Sequence, residues 1–525
     1  MPAPMGGMNT SVPLSQMDPS QTIYTYNMRS TSYGLGLRPG YKEWCEPVPL
    51  GDGVKTIIAV NGIAGSHIDD RALAITSDGV YDITTQFGTP TKELDWPVKN
   101  ADTGWCSWLH FTPITGSGKA FIAACDLSNG YYLYDVALNT WAIVNAGVAA
   151  GEINGADPRK FAFITVWKNR LWFVEKDSTV SWYLPVGQLT GTVVKFDWGP
   201  KLRTGGFLKG IYNWTLNGGL GVDDYLVGIG SEGDVLVYQG ADPSDGVSFE
   251  LHGTWQIGKQ PRNKRVATEF GGDLLVASQY GILPMSRMVS GLPLDEESTY
   301  VTQQINSLYR VAFQDRIDAF GFEIKNMFAL GGIYVIWPKV PGKQDVQLFY
   351  SLATKSWTVW TGIPALTSES CFGKSYIGTL DNRIFTLEGG LDNDRIDPLF
   401  EPTAIPFSVL TAFSDLQAPA TFKQMQLFRP LFIGDAPPAY SLDARYDYDI
   451  SDANNVPVST DVTPGLWNIA LWDVDVWGGG FVPNQPLRGA YGMGRTVAMV
   501  LRGNANSTSL ILTGFDYLYS SGGLL

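Results

Sequence analysis

Histidine is almost missing from this chain, with three in 525 residues. His67, His110 and His252 stand apart from one another and no G-x-S-x-G surrounds a serine, which leaves no material for a hydrolase triad. Cysteine is nearly as scarce. Cys45, Cys106, Cys125 and Cys371 are scattered, with no C-x-x-C pair, so neither a zinc site nor a disulfide framework is indicated, and reduced thiols fit a cytosolic site of synthesis. Charge is low at 17%, and basic residues are the poorer half: 37 Lys and Arg against 51 Asp and Glu, a net charge of −14 and a pI near 4.7. That balance excludes a protein whose whole surface neutralises phosphates, while leaving room for a channel through which DNA slides without sticking. Long apolar runs are absent too. The most apolar stretch, 327–338, is too short to span a bilayer and is flanked by Lys325 and Lys339. The opening MPAPMGGMNTSVPLSQ has neither a basic region nor an apolar core of a secretory signal. The expectation is a soluble protein without membrane anchor, cofactor or metal.

What the chain has in quantity is glycine (59), proline (31) and aromatic residues (13%), the composition of many short strands joined by turns. From about residue 60 to 390 one pattern returns: a short apolar strand, a Gly/Asp/Asn/Ser turn, then a strand rich in aromatics. It appears as ALAITSDGVYDI (72–83), AFIAACDLSNGYYLYDVALNTWAIV (120–144), NRLWFVEKDSTVSWYL (169–184), DYLVGIGSEGDVLVY (224–238), GDLLVASQYGILPM (272–285), the segment 332–360 and SYIGTLDNRIFTL (375–387). Two of these share a longer signature, LYDVALNTW at 133–141 and FYSLATKSW at 349–357. A recurring hairpin that cannot bury its faces alone points to repeated sheets stacked on one another, and at roughly 45 residues per unit the segment holds about seven. The predicted fold is all-β: a β-propeller of six to eight blades at 60–390, an extended N-terminal arm at 1–59 packing on the rest, and a C-terminal β module at 391–525.

Motifs of chemistry fail on context. GIGSEG (228–233) matches a dinucleotide fingerprint in spacing, but strand-type residues follow it where a helix must open, so it reads as a hairpin turn. GSGKA (116–120) lacks the upstream glycine and the hydroxyl residue of a phosphate loop. Asp392, Asp394 and Asp397 form a carboxylate cluster without the glycine and distal glutamate of a calcium loop, and read as a turn.

Three features remain as candidates. KQPRNKR (259–265) is the densest basic run, and its Lys259, Arg262, Lys264 and Arg265 suit DNA phosphates or an acidic neighbouring subunit, against the plainer reading of a solvated loop. In SLDARYDYDIS (441–451), apolar and charged residues alternate over 442–450 and set Asp443, Asp447 and Asp449 on one strand face, a solvated face by default and an acidic channel wall if several copies form a ring. Trp467, Trp472 and Trp477 step by five residues, which matches neither helix nor strand, and their apolar neighbours favour packing within or between subunits over sugar stacking.

Taken with YTYNMRSTSYGLGLRPGYKEWC (24–45), NRLWFVEKDSTVSWYLPVGQLTG (169–191) and WNIALWDVDVWGG (467–479), the chain resembles the tail nozzle, or packaged-DNA stabilisation, proteins of short-tailed bacteriophages. The matching positions are Asn27-Met28 with Gly40-Tyr41, Ser178-Thr179 with Tyr183, and the stretch 428–432. The resemblance implies a non-enzymatic virion subunit, made in the host cytoplasm and assembled as a hexameric ring. That ring would line and close the DNA ejection channel, contact genomic double-stranded DNA without sequence preference, and meet portal-adaptor proteins above and fibre, spike or needle proteins beside it. The competing class is a propeller glycosidase or glycan-binding tail protein, for which TSDGVY (76–81) gives slight support.

Overall fold

The computed structural model describes all residues except 63–68, 115–117, 217–222, 247, 292–295, 344–345, 388–392, 395–401, 435–437, 454–486, 506–508 and 525. The chain is all-β in character, with two α-helices among the described residues, Met285–Val289 and Asn306–Asp315. Each hairpin read from the sequence is the centre of a separate antiparallel meander, and seven meanders occur among the described residues.

Meander I is Thr56–Val60, Arg71–Ile75, Gly79–Asp82 and Thr91–Asp95; meander II is Cys106–Phe111, Phe121–Asp126, Gly130–Asp135 and Thr140–Ile143. Meander III is Phe161–Trp167, Arg170–Glu175, Val180–Tyr183 and Val194–Asp197; meander IV is Leu208–Leu216, Asp223–Gly230, Asp234–Gln239 and Glu250–Gln256. Meander V has three strands, Ala267–Phe270, Asp273–Ser278 and Gly281–Pro284, and the two helices follow it. Meander VI is Glu323–Met327, Gly332–Ile336, Gln347–Ser351 and Ser356–Trp360. Meander VII takes Ala365–Cys371, Lys374–Thr379 and Ile384–Leu387 from its own region and its fourth strand, Tyr41–Glu43, from the N-terminal arm.

The turns explain the repeated signature. LYDVALNTW and FYSLATKSW occupy the same place in meanders II and VI, between third and fourth strands, and the residue before each fourth strand, Asn139 (φ 55°) and Lys355 (φ 53°), is left-handed. GIGSEG is the turn between the second and third strands of meander IV.

An apolar cluster fills each gap between neighbouring meanders. Trp96 meets Tyr132 edge-on at 4.9 Å between I and II, and Trp198 meets Tyr238 at 5.2 Å between III and IV. Trp44 meets Tyr376 at 5.2 Å where VII returns to I, so the circuit of clusters closes on itself. Burying a large aromatic removes about 150–250 Å² from water, worth at most about 4–6 kcal/mol each. Trp96, Trp167, Trp172, Trp198, Trp214, Trp357 and Trp360 are all of this fully buried kind.

Apart from the short pair Ile153–Asn154 with Gly191–Thr192, the other strands among the described residues form two sheets packed face to face. One continues meander VI: Thr22–Tyr26 pairs in parallel with Ser356–Trp360 at Tyr26–Val359, and Thr403–Thr411, Val497–Ala505 and Ala439–Tyr446 follow in that order. The path from Glu323–Met327 to Ala439–Tyr446 is eight strands, roughly 34 Å at the usual strand spacing. The other sheet is Met28–Ser30, Leu35–Leu37, Leu510–Leu524, Thr421–Gly434 and Arg488–Gly489. Met28, Phe407, Phe428, Leu501, Leu512 and Phe515 lie in the core between them.

The boundaries therefore differ from those read in the sequence. The meanders begin at Thr56, and the arm supplies strands to meander VI's sheet, to meander VII and to both faces of the C-terminal sandwich. Pairing partners more than 300 residues away leave no periodic trace in a local window.

Candidate functional site

The first strands of the seven meanders surround a cavity of about 530 Å³. Every meander contributes, from Thr56 of I through Ser107, Thr165, Asn213, Thr268 and Asn326 to Ser368 of VII. The wall is mixed: Trp108 and Phe328 beside hydroxyls, amides and the ion pair of Lys325 with Glu369 at 2.7 Å. The side-chain oxygens of Asn213 and Asn326 have no hydrogen-bond partner among the described residues.

Arg265 closes one side of this cavity. It comes from the segment joining meander IV to meander V, which runs beside the start of meander VI with bridges at Arg262–Phe320 and Arg265–Glu323. The guanidinium donates to Glu323 Oε2 (2.5 Å), Thr56 Oγ1 (2.5 Å), Thr367 Oγ1 (2.9 Å) and the carbonyls of Lys55 (3.0 Å) and Cys106 (3.1 Å), and lies over the Trp105 ring at 5.3 Å. Glu323 is 1% exposed and its second oxygen accepts from Ser368 N (2.8 Å) and Oγ (3.0 Å). One cation thus ties meanders I, II, VI and VII together, with the planar fork of donors that only arginine offers.

The basic run 259–265 is accordingly divided. Lys259 faces Glu232 at 3.7 Å on the surface, and Arg262 donates to the Asp318 carbonyl at 3.0 Å. Lys264 turns inward and donates to the Lys209 carbonyl at 3.1 Å, while Arg265 is held between meanders I, II, VI and VII. The sequence reading of all four as surface contacts is corrected for these last two: Lys264 is turned inward onto a carbonyl with no carboxylate partner among the described residues, and Arg265 is paired with Glu323 inside the chain.

The acidic stretch is also shorter as a strand than its alternation predicts. The strand ends at Tyr446, and Asp447 (φ 47°) and Tyr448 (φ 68°) form a left-handed turn. Asp443 faces Arg445 at 3.4 Å on the strand. Asp447 accepts from the backbone of Arg495 (2.7 Å) and Thr496 (3.1 Å), and Asp449 accepts from Ser451 N and Oγ, both 2.9 Å, which holds its carboxyl below the usual range. Asp443 thus lies within the sheet's terminal strand, while Asp447 and Asp449, both exposed, follow its end. Trp467, Trp472 and Trp477, with Asp392, Asp397 and His67, lie outside the described residues.

Cys106 lines this cavity, but burial, and then Asp126 at 3.6 Å, push its thiol well above the usual range, so it is protonated and unreactive as a nucleophile. His110 is bonded to the Ala59 carbonyl at 2.9 Å. In TSDGVY, Asp78 bonds Tyr81, Lys92 and Lys99, and Thr76 bonds the Leu50 carbonyl, so the motif braces a turn of meander I. No group of three or more His, Cys, Asp or Glu is placed to hold a metal ion among the described residues, and no helix among them is long and apolar enough to cross a membrane.

No protein-family model and no curated protein matches the chain. Among solved structures it is similar to the extracellular domain of a hybrid two-component system from B. thetaiotaomicron, at 12% identity over 64% of this chain with a TM-score of 0.38; the chain spans 40% of that protein's length. It is also similar to the computationally designed Ika8 protein (9% identity, 70% of this chain and 96% of the other, TM-score 0.34). A third is a chain of the mitotic checkpoint complex (12% identity, 64% and 92%, TM-score 0.34).

Proposed function

We propose that this chain is a structural virion protein, the nozzle or tail-hub subunit of a short-tailed phage, and that its seven meanders are the blades of a β-propeller whose last blade is completed by Tyr41–Glu43. In this reading several copies, six by the resemblance, form a ring that lines and closes the ejection channel and retains packaged DNA. The single observation that carries it is the position of Asn27-Met28 and Gly40-Tyr41, the residues on which the resemblance rests. Asn27, at φ 57°, accepts from Arg38 Nε (2.8 Å) and Thr361 N (2.7 Å) and donates to Thr361 Oγ1 (3.0 Å) and the Pro406 carbonyl (2.7 Å). Met28 is in the core of the sandwich and Tyr41 in that of meanders VI and VII. These residues tie the meanders to the sandwich, as a wall that holds packaged DNA requires.

Asp443, Asp447 and Asp449, repeated around the ring, then supply a channel wall that repels DNA and leaves it free to slide, effective only where the bore is within about 8 Å of the duplex surface. Electron cryo-microscopy of the purified protein and of virion tails tests the assignment: a closed ring with these aspartates toward the bore is expected, and a monomer in both preparations overturns it. The cavity with Trp108 favours a second reading, a glycan-binding propeller; saturable binding of a host oligosaccharide that Trp108→Ala abolishes would establish it instead.

A further inference from the structure

A second cavity, of about 490 Å³, lies across the segment 263–265 from the first, and Lys264 is the one residue lining both. We propose that this second cavity is a binding site for a small phosphorylated, hydroxyl-bearing molecule of the sugar-phosphate class, held by Lys209, Lys264 and Gln260.

The charge arrangement is the first reason. Lys209 is 7% exposed, and among the described residues its ammonium bonds only the Pro261 carbonyl and that of Lys264 only the Lys209 carbonyl. Neither has a carboxylate within ion-pair distance among the described residues. The acids that share the cavity are engaged or set apart: Asp102 pairs with Lys176 at 3.2 Å and Glu232 with Lys259 at 3.7 Å, both pairs well exposed, while Asp177 and Asp318 form no ion pair with either buried lysine. Two buried ammonium groups facing one space without a counter-ion are costly unless an anion joins them. Burial, then the neighbouring Lys264 and Arg262, lowers Lys209 to about 7 against the pull of Glu232, and burial lowers Lys264 to about 8 against the pull of Asp177.

Gln260 supplies the second, independent reason. It lines the same cavity, is 5% exposed, and neither its amide nitrogen nor its oxygen has a partner among the described residues. A buried amide left bare costs about 1–3 kcal/mol. Its nitrogen asks for an acceptor and its oxygen for a donor. A bare oxyanion answers only the first demand, whereas a phosphate ester carrying hydroxyls answers both. The volume agrees, being several times that of a single phosphate and within the range of small-molecule sites.

Isothermal titration of the full chain with ribose 5-phosphate, inorganic phosphate and ribose tests this. The sugar phosphate is expected to bind at least ~10-fold more tightly than phosphate, with ribose not binding, since one well-placed buried hydrogen bond is worth about a factor of ten. Lys209→Met should weaken both phosphate-bearing probes at least ~10-fold, the loss of one charge-assisted hydrogen bond. Gln260→Leu should bring ribose 5-phosphate down to the level of phosphate while leaving phosphate unchanged. Should Lys209→Met fail to fold, as judged by circular dichroism, Lys264→Met carries the same expectation. Absence of saturable binding by either phosphate-bearing probe, or affinities unaltered in the variants, overturns the site; equal binding of the two probes to the unmodified chain overturns the hydroxyl-bearing class.

Discussion

The seven meanders and the two-sheet sandwich use the same kind of strand but gather them in opposite ways. Meander III is one contiguous segment, 161–197, whose strands pair in the order they occur. The sandwich core brings Met28, Phe407, Phe428, Leu501 and Phe515 together from segments hundreds of residues apart. In the first region stability is a sum of local units and their interfaces; in the second it depends on distant closures, whose entropy must be met before any contact rewards it.

Removing the Arg265 cation tests the meander side most severely. Arg265→Ala leaves Glu323 buried without its partner and should cost about 3–5 kcal/mol in urea unfolding, most of it recovered in the double variant with Glu323→Leu. An Arg265→Ala protein as stable as the parent would mean that the meanders do not depend on this tie. On the sandwich side, Met28→Ala should cost about 3 kcal/mol. Hydrogen exchange should then accelerate in Thr421–Gly434 and Leu510–Leu524 while the hairpin Arg170–Tyr183 keeps its protection. Asn27→Ala should cost about 2 kcal/mol and, unlike Met28→Ala, raise exchange in both regions together, because its hydrogen bonds span the junction.

A smaller effect is expected from pH. Lys209 titrates near 7 in the folded chain and at about 10.4 when unfolded. Between those values the unfolded chain binds more protons, so unfolding free energy should rise with pH, by at most about 1.4 kcal/mol per unit. Lys209→Met should flatten that rise, and equal slopes with and without the substitution would contradict the assignment. Arg429 and Asp516, paired at 2.8 Å between the strands Thr421–Gly434 and Leu510–Leu524, are 30% and 47% exposed, and Arg429→Ala should cost less than about 1 kcal/mol.

The same contrast explains what could be read from the sequence. All seven hairpins were legible because period-two alternation and turn residues are local signals, and the turn of GIGSEG was recognisable from the strand residues after it. Tyr41–Glu43 was not, since three residues carry no period and their partner, Ile384–Leu387, lies at the other end of the meanders. In the basic run, composition located Arg265 but could not show that it leaves the surface, because burial of a charge is decided by a carboxylate 58 residues further on. Lys209 and Gln260 gave no sequence signal at all: one lies alone in a strand and the other between two surface-like residues. The alternation across 442–450 overstated the strand because side-chain polarity says nothing of the left-handed backbone at Asp447 and Tyr448.

The closing strand of meander VII also sets a timetable. Glu43 and its partner Arg383 are separated by 340 residues, so at about 5–20 residues per second the ribosome makes the first roughly 20–70 s before it makes the second. Throughout that interval the arm waits with an open edge, a template for any passing strand. Shortness is its protection: three residues of strand, preceded by Pro39 and Gly40, offer a stray partner too little to hold. Each nascent chain therefore has its beginning fastened late, and a translational stall before residue 384 would leave a truncated molecule whose arm is also unlatched.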